Sequence, residues 1–285
     1  MTISKTFNIA DINIEISWNP TIFNLYFSNQ FLKFSSILSN NECYKIKIIS
    51  INKKIPFERN NKNNWKISKL SNNLFSYQLK SFKSEFLRIE LLFSLKNKIW
   101  ELFYYNYDNI EPIKFNPFIH PLGSLIIQNI ILQNNGFFIH GSAVNYKSKG
   151  LIFTGKSGTG KTTISNIYKK SGYFVIHNDR LIIRKIDNSY MMFNSPMLNV
   201  TNSTTYHINK IFSIYHSSKN EIKSLNKIET YKQIIPNIIQ HNIDNNLIVL
   251  LSDTYTDFLK CFDFYTLGFV PDNHIIDFID EHISK

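Results

Sequence analysis

Eight consecutive residues, Gly155-Lys156-Ser157-Gly158-Thr159-Gly160-Lys161-Thr162, restrict this chain more than any other stretch. They fit G-x-x-x-x-G-K-[ST] at every defined position. Glycines at 155, 158 and 160 let the backbone curl so that successive N–H groups converge on one point. Converging donors suit phosphate oxygens. Lys161 adds a point charge for the outer phosphates, and the Thr162 hydroxyl suits a magnesium ion. The helix that opens at Thr162-Thr163 aims its positive end at the same anion. Such a loop functions only between a strand and a helix. Leu151-Ile152-Phe153 before it reads as an apolar strand, and Thr163–Tyr168 after it is helix-compatible. The stretch from Gly155 to Thr163 is therefore expected to bind a nucleoside triphosphate.

The flanking pattern places this loop in an α/β core with a mixed sheet. Phe137–Val144 and Gly150–Thr154 read as strands joined by the polar turn Asn145–Lys149, too short for a parallel crossover. A helix closed by Gly172 follows the loop. Further strands are expected at Tyr173–Ile176, Leu181–Ile186, Tyr190–Phe193, Ile211–Tyr215 and Cys261–Leu267, with helices at Ile228–Ile235 and Asp272–Glu281. Upstream, Leu122, Leu125, Ile126, Ile130 and Leu132 recur at near-helical spacing. They predict an amphipathic helix across Pro117–Asn135, with Gly136 as its left-handed cap. The first 116 residues read as a β-rich lobe, with strands at Asn13–Ser17, Asn24–Phe34, Tyr44–Ile51, Phe75–Lys80, Arg88–Phe93 and Ile99–Tyr105 and a break at Asn60–Asn64. This lobe holds no catalytic constellation and reads as structural or substrate-recognising. The organisation expected is a lobe over 1–116 and a P-loop domain over 117–285.

Composition narrows the partners. The chain has 285 residues, 43% of them hydrophobic, enough for a sizeable packed core. Its formal net charge is +11, but the lysines are spread along the chain and no nucleic-acid-binding motif accompanies them. The charge therefore reads as solvation and phosphate affinity, and no nucleic acid is expected. Cys43 and Cys261 stand far apart and in no metal-ligand spacing. The first twenty residues lack a basic-then-apolar leader, and no apolar window reaches transmembrane length. A cytoplasmic protein away from the membrane is the expectation, with reduced thiols.

Three residues compete for the chemistry beside the loop. Asp179 follows the Tyr173–Ile176 strand at a point where its carboxylate could face a γ-phosphate and take a proton from an attacking hydroxyl. Asp253 closes the apolar run Ile248–Ser252, as a metal-binding acid would, although Thr254–Cys261 suits a helix equally well. His140 sits alone in an apolar strand, where a structural role and a functional one both remain open.

His140-Gly141-Ser142-Ala143-Val144, the glycine-rich loop, and Gly172-Tyr173 with Asn178-Asp179-Arg180 occur in that order. This combination resembles the HPr kinase/phosphorylase family, most of all its shorter HPr-kinase-like members, which share the P-loop core of ATP-dependent phosphoenolpyruvate carboxykinases. The likeness covers about Gly136–Pro196 and continues more weakly to Phe264–Pro271. It implies a kinase that phosphorylates a hydroxyl, typically of serine, using ATP and Mg2+. Asp179 would be its base and, with Thr162, a metal-site residue; His140 would lie near the γ-phosphate, and Lys161 would act on the phosphates. Homo-oligomers are common in that family. Two departures stand out. Asn178 replaces the first of two adjacent aspartates, which bears on metal affinity and on the reverse, dephosphorylating reaction. The Gly-rich signature expected after Asn194-Ser195-Pro196-Met197 is missing. That points away from HPr and toward a peptide, another protein or a small molecule as acceptor.

Two other readings fit the same residues. One is a nucleotide-sensing or peptide-binding module that binds ATP without transferring phosphate. The other is an NTPase of a larger assembly, which needs a metal-binding acid such as Asp253 and an arginine such as Arg184.

Overall fold

The structure, a computed structural model, describes residues 1–37, 43–53, 65–80, 88–106, 112–197, 203–241 and 244–283. The break expected at Asn60–Asn64 lies outside them. The chain divides into two compact units: Met1–Ile130 with Asn242–Ile248, and Ile131–His241 with Val249–Lys285.

The first unit is a sheet protein. Its opening hairpin pairs β1 (Ile3–Ile9) with β2 (Ile12–Trp18) and turns through Ala10 and Asp11, both at positive φ. Two such residues match the twist of the flanking strands. The rest of the unit comprises β3 (Phe23–Leu25), α1 (Asn29–Leu32), β4 (Ser35–Ser36), β5 (Cys43–Asn52), β6 (Trp65–Lys69), β7 (Leu74–Lys80), β8 (Arg88–Ser94), β9 (Ile99–Asn106), β10 (Ile113–Phe115) and most of α2 (Leu122–Leu132). Among the described residues an eight-stranded sheet runs β4-β1-β2-β5-β9-β8-β7-β6. Its centre is parallel, β2 with β5 and β5 with β9, and the remaining pairs are antiparallel. Burial alternates along β5, as a half-buried strand requires.

Two expectations fail here. The strand read across Asn24–Phe34 is only β3; Ser28 then caps the single turn α1 by accepting from the Phe31 N–H. The apolar residues that suggested alternation serve a helix instead, with Phe31 buried and stacked on Phe118 at 4.2 Å. The amphipathic helix begins only at Leu122 and is buried almost all round, Gln128 alone being half-exposed. Its left-handed residue is Asn135 (φ 57°), not Gly136. Gly136 opens the next strand, where a Cβ would lie 2.7 Å from the Ile183 carbonyl oxygen, so glycine is needed there for close approach.

The second unit contains β11 (Gly136–Tyr146), β12 (Lys149–Thr154), α3 (Lys161–Lys170), β13 (Phe174–His177), β14 (Arg180–Ile186), β15 (Ser189–Phe193), β16 (Thr205–His216), β17 (Glu221–Ser224), α4 (Lys227–Ile234), β18 (Ile238–Ile239), α5 (Asn245–Cys261, from Val249 on), β19 (Phe264–Phe269) and α6 (His274–Ile283). The sheet is mixed. β11 pairs antiparallel with β12, β13 and β14, whereas β12–β16 and β16–β19 are parallel. Because β12 meets both β11 and β16, the pairings β12-β11-β14-β15-β16 close into a ring. The apolar run Ile248–Ser252 and Cys261 belong to α5, so the strand expected at Cys261 begins at Phe264 and Asp253 lies exposed on a helix.

One core joins α3 and α6 to the parallel strands: Ile164, Ile167 and Tyr168 pack with Phe153, Phe212, Leu267, Ile275 and Ile279. Each such aliphatic side chain contributes about 1.5–3 kcal/mol by leaving water. On another side α5 lays Phe258 against Phe137, Tyr190 and Phe264. Among the described residues no helix is long and apolar enough to cross a membrane.

Candidate functional site

The glycine-rich loop runs from the end of β12 into α3. Gly155 (φ 147°), Gly158 (φ 84°) and Gly160 (φ 98°) all adopt positive φ, which L side chains resist. Space adds a second constraint at Gly160, where a Cβ would stand 2.8 Å from the Phe269 ring. Lys161 opens α3, and its ammonium reaches back to donate to the carbonyls of Gly155 and Lys156, both at 2.8 Å. Lys156 O also accepts the Thr159 hydroxyl at 2.8 Å, so one carbonyl gathers the curve. Burial holds Lys161 below lysine's ordinary pKa, while the charge of Asp179 pulls the other way. Thr162 and Thr163 lie exposed on the first turn of α3. Two buried hydroxyls fix the loop's ends to β11: Ser142 donates to Lys161 O and Thr154 to His140 O, both at 2.8 Å.

Asp179 stands where β11 changes partner. The strand pairs with β13 through Ala143–Asn145 and with β14 through Gly136–His140. The turn Asn178-Asp179 faces the gap, and Gly141 N–H donates to Asp179 O at 2.9 Å. His177 builds this turn. Its Nδ1 accepts the N–H groups of Asp179 and Arg180, both at 3.0 Å, so that nitrogen carries no proton. Nε2 therefore holds the hydrogen and donates it to Met197 O at 2.9 Å. Burial keeps His177 below the ordinary imidazole pKa, in keeping with a neutral ring.

The Asp179 carboxylate meets His140 Nε2 at 3.1 Å through Oδ1 and Arg180 Nε at 3.2 Å through Oδ2. His140 is held below its ordinary pKa by burial first and by the charge of Lys161 second, with Asp179 opposing both. At neutral pH the contact is thus a hydrogen bond from a neutral imidazole rather than an ion pair. All three side chains are about one-third exposed, so the carboxylate is reachable. The electrostatic influence of Lys161 on His140, and of Asp179 on Lys161, ties the pair to the loop.

Asn178 is spoken for. Its Oδ1 accepts from Ser165 Oγ at 2.7 Å, the shorter of that hydroxyl's two contacts, the other being Thr162 O at 3.1 Å. Asp253 and Arg184 play no part in this cluster: Arg184 Nε donates to Asn134 O at 3.1 Å. Residues that sequence reasoning did not single out are His177 and two strand ends, His216 and Phe269. His216 Nε2 lies 2.7 Å from Gly158 O, at the loop's apex. No local pattern marks His216, which stands far along the chain from the loop it touches.

Among the described residues no group of three metal-ligating His, Cys, Asp or Glu side chains exists. A magnesium ion bound with phosphates asks for less, since it takes one or two protein oxygens beside phosphates and waters. The exposed Thr162 hydroxyl and the Asp179 carboxylate supply hard oxygen donors of that kind, so the donor set fits.

Fold and site together define a mixed α/β protein with a glycine-rich loop opening a helix beside a His–Asp pair. No protein family and no curated protein matches the chain. Among solved structures, it is similar to the HPr(Ser) kinase/phosphatase from Coxiella burnetii, with 12% identity and a TM-score of 0.26, over 44% of this chain and 97% of that chain.

Proposed function

We propose that the chain is an ATP-dependent kinase that phosphorylates a hydroxyl, most simply of a serine in a peptide or protein. The observation that carries this reading is the Asp179 carboxylate, oriented by His140 and Arg180 and electrostatically coupled to the loop's Lys161. A loop alone describes nucleotide binding; a reachable carboxylate beside it adds a base.

In this reading Gly155–Thr163 cradle the triphosphate through backbone N–H groups, and Lys161 exchanges its loop carbonyls for phosphate oxygens. Asp179 accepts the acceptor's proton as a bond forms from its oxygen to the γ-phosphorus. The bond to the β,γ-bridging oxygen breaks, and ADP leaves. His140 donates through Nε2–H to one carboxylate oxygen and Arg180 through Nε–H to the other, which leaves each oxygen a second lone pair to act. Thr162 and Asp179 would hold magnesium, which when bound neutralises charge on the phosphates.

The test is mass spectrometry of serine-containing peptides, including those encoded beside this chain, after incubation with Mg-ATP. A gain of one phosphate is expected, abolished in Lys161→Ala. Asp179→Asn should lose transfer by about 10²–10⁴-fold, the usual worth of a positioned base. Wild-type transfer rates in that variant would remove Asp179 from the chemistry.

One observation favours a second reading. The Asn178 amide is committed to Ser165, a structural use of a position where a carboxylate would strengthen a metal site. A module that binds ATP without transfer would show nucleotide affinity and no labelled acceptor in the same experiment.

A further inference from the structure

The apex of the glycine-rich loop is its least supported point. At Gly158, with φ 84°, a Cβ would meet nothing within 4 Å, so no packing on that side holds the residue. Glycine also has the widest backbone freedom of any residue. The Gly158–Thr159 peptide nevertheless has a defined direction. Its carbonyl accepts from His216 at 2.7 Å, and since a carbonyl only accepts, Nε2 must carry the proton. A trans peptide sets its N–H opposite its carbonyl. Holding the oxygen on His216 therefore turns the Thr159 N–H inward, where it lies 3.4 Å from Lys156 O, the carbonyl that also accepts from Lys161.

His216 does not stand alone. It is the last residue of β16, and its register partner on the parallel neighbour β19 is Phe269, also the last residue of its strand. Phe269 is 2% exposed and fills the space where a Cβ on Gly160 would go; the His216 ring comes within 3.9 Å of the same point. Two paired strand ends thus touch the two glycines at the loop's apex and exit, one by a hydrogen bond and one by contact.

We propose that His216, with Phe269 beside it, is a positioning residue for nucleotide binding: it holds the apex peptide with its N–H turned into the loop, where it donates to Lys156 O and can exchange that carbonyl for a phosphate oxygen. The inference rests on the reading of this loop as a triphosphate site but not on phosphate transfer. Affinity depends on how much ordering remains to be done at binding, so loosening one peptide weakens binding without touching the base.

The experiment titrates a fluorescent ATP analogue into the full chain in the presence of Mg2+, for wild type, His216→Ala and His216→Gln, with Tm recorded for each. His216→Ala should weaken binding by roughly three- to tenfold, the effect of losing about one hydrogen bond. His216→Gln, whose amide N–H can reach the same carbonyl, should recover most of the loss. The side chain is exposed, so Tm should move little. Wild-type affinity in His216→Ala would overturn the inference and leave the nucleotide site standing. So would a loss that follows Tm and that glutamine does not restore. No binding by the wild type would overturn the nucleotide reading itself, and the inference with it.

Discussion

Buried polar side chains in this protein are decided one hydrogen bond at a time. Glu90, 7% exposed, accepts from Ser76 and Arg88, from Gln78 at 3.1 Å and from the Tyr105 hydroxyl at 3.1 Å. Burial pushes its pKa up, but these donors outweigh it and hold the carboxyl below its ordinary 4.5. A depressed carboxylate stabilises the fold above the ordinary value, and that contribution is lost as pH falls through the folded value. Glu90→Gln should cost about 1–3 kcal/mol near pH 7, because Arg88 then lacks a counter-charge. The gap from wild type should close toward pH 3 in urea denaturation. His177 works in the opposite sense, as an acceptor for backbone. Replacing it with alanine removes the acceptor of the Asp179 and Arg180 N–H groups and the donor to the Met197 carbonyl. A loss of about 1–3 kcal/mol is expected. His177→Asn should recover part of it, since an Asn side chain accepts from N–H groups two residues on.

At the scale of elements, the hairpins and the loop were readable because their rules are local. The β11–β12 turn passes through Lys147 and Ser148 at positive φ, within the polar stretch that sequence marked as a turn. The loop's glycines, its following helix and Gly172 needed no distant information either. What local pattern hides is partnership. Leu25, Phe27 and Phe31 fall on one face of an extended strand until Ser28 caps a turn and Phe118 covers it. Ile248–Asp253 is apolar enough for a strand, yet the same run lies within α5, whose Phe258 packs on Phe137. His177 and His216 are lone histidines in sequence, and only long-range geometry shows what each nitrogen does. Gly150 gives a sharp test of one partnership. A Cβ there would lie 2.1 Å from His207 O on the parallel neighbour β16. The backbone cannot swing aside as a side chain can. Gly150→Ala should therefore cost about 2–3 kcal/mol, read as a lower denaturation midpoint.

Across the whole molecule, Glu90 and Gly150 belong to different compact units, and among the described residues the side chains bonded to Glu90 (Ser76, Gln78, Arg88 and Tyr105) lie in its own unit. Their substitutions should add within about 0.5 kcal/mol in the double variant, as independent sites do. The net charge of +11 predicts faster, salt-sensitive association with an anionic nucleotide, but it identifies no acceptor. The closed run of strand pairings has a kinetic corollary. β12 pairs with β16 from Gly150↔Ile208 to Thr154↔Ser213, with a one-residue shift after Gly150, so closure waits on contacts between distant parts of the chain. Chains dominated by such contacts fold on roughly millisecond-to-second timescales. The glycine-rich loop hangs between a strand of that closure and the helix after it, so its curved shape is completed late. While the chain is being made, the support that His216 and Phe269 give this loop would arise only after ribosomal synthesis has passed Phe269.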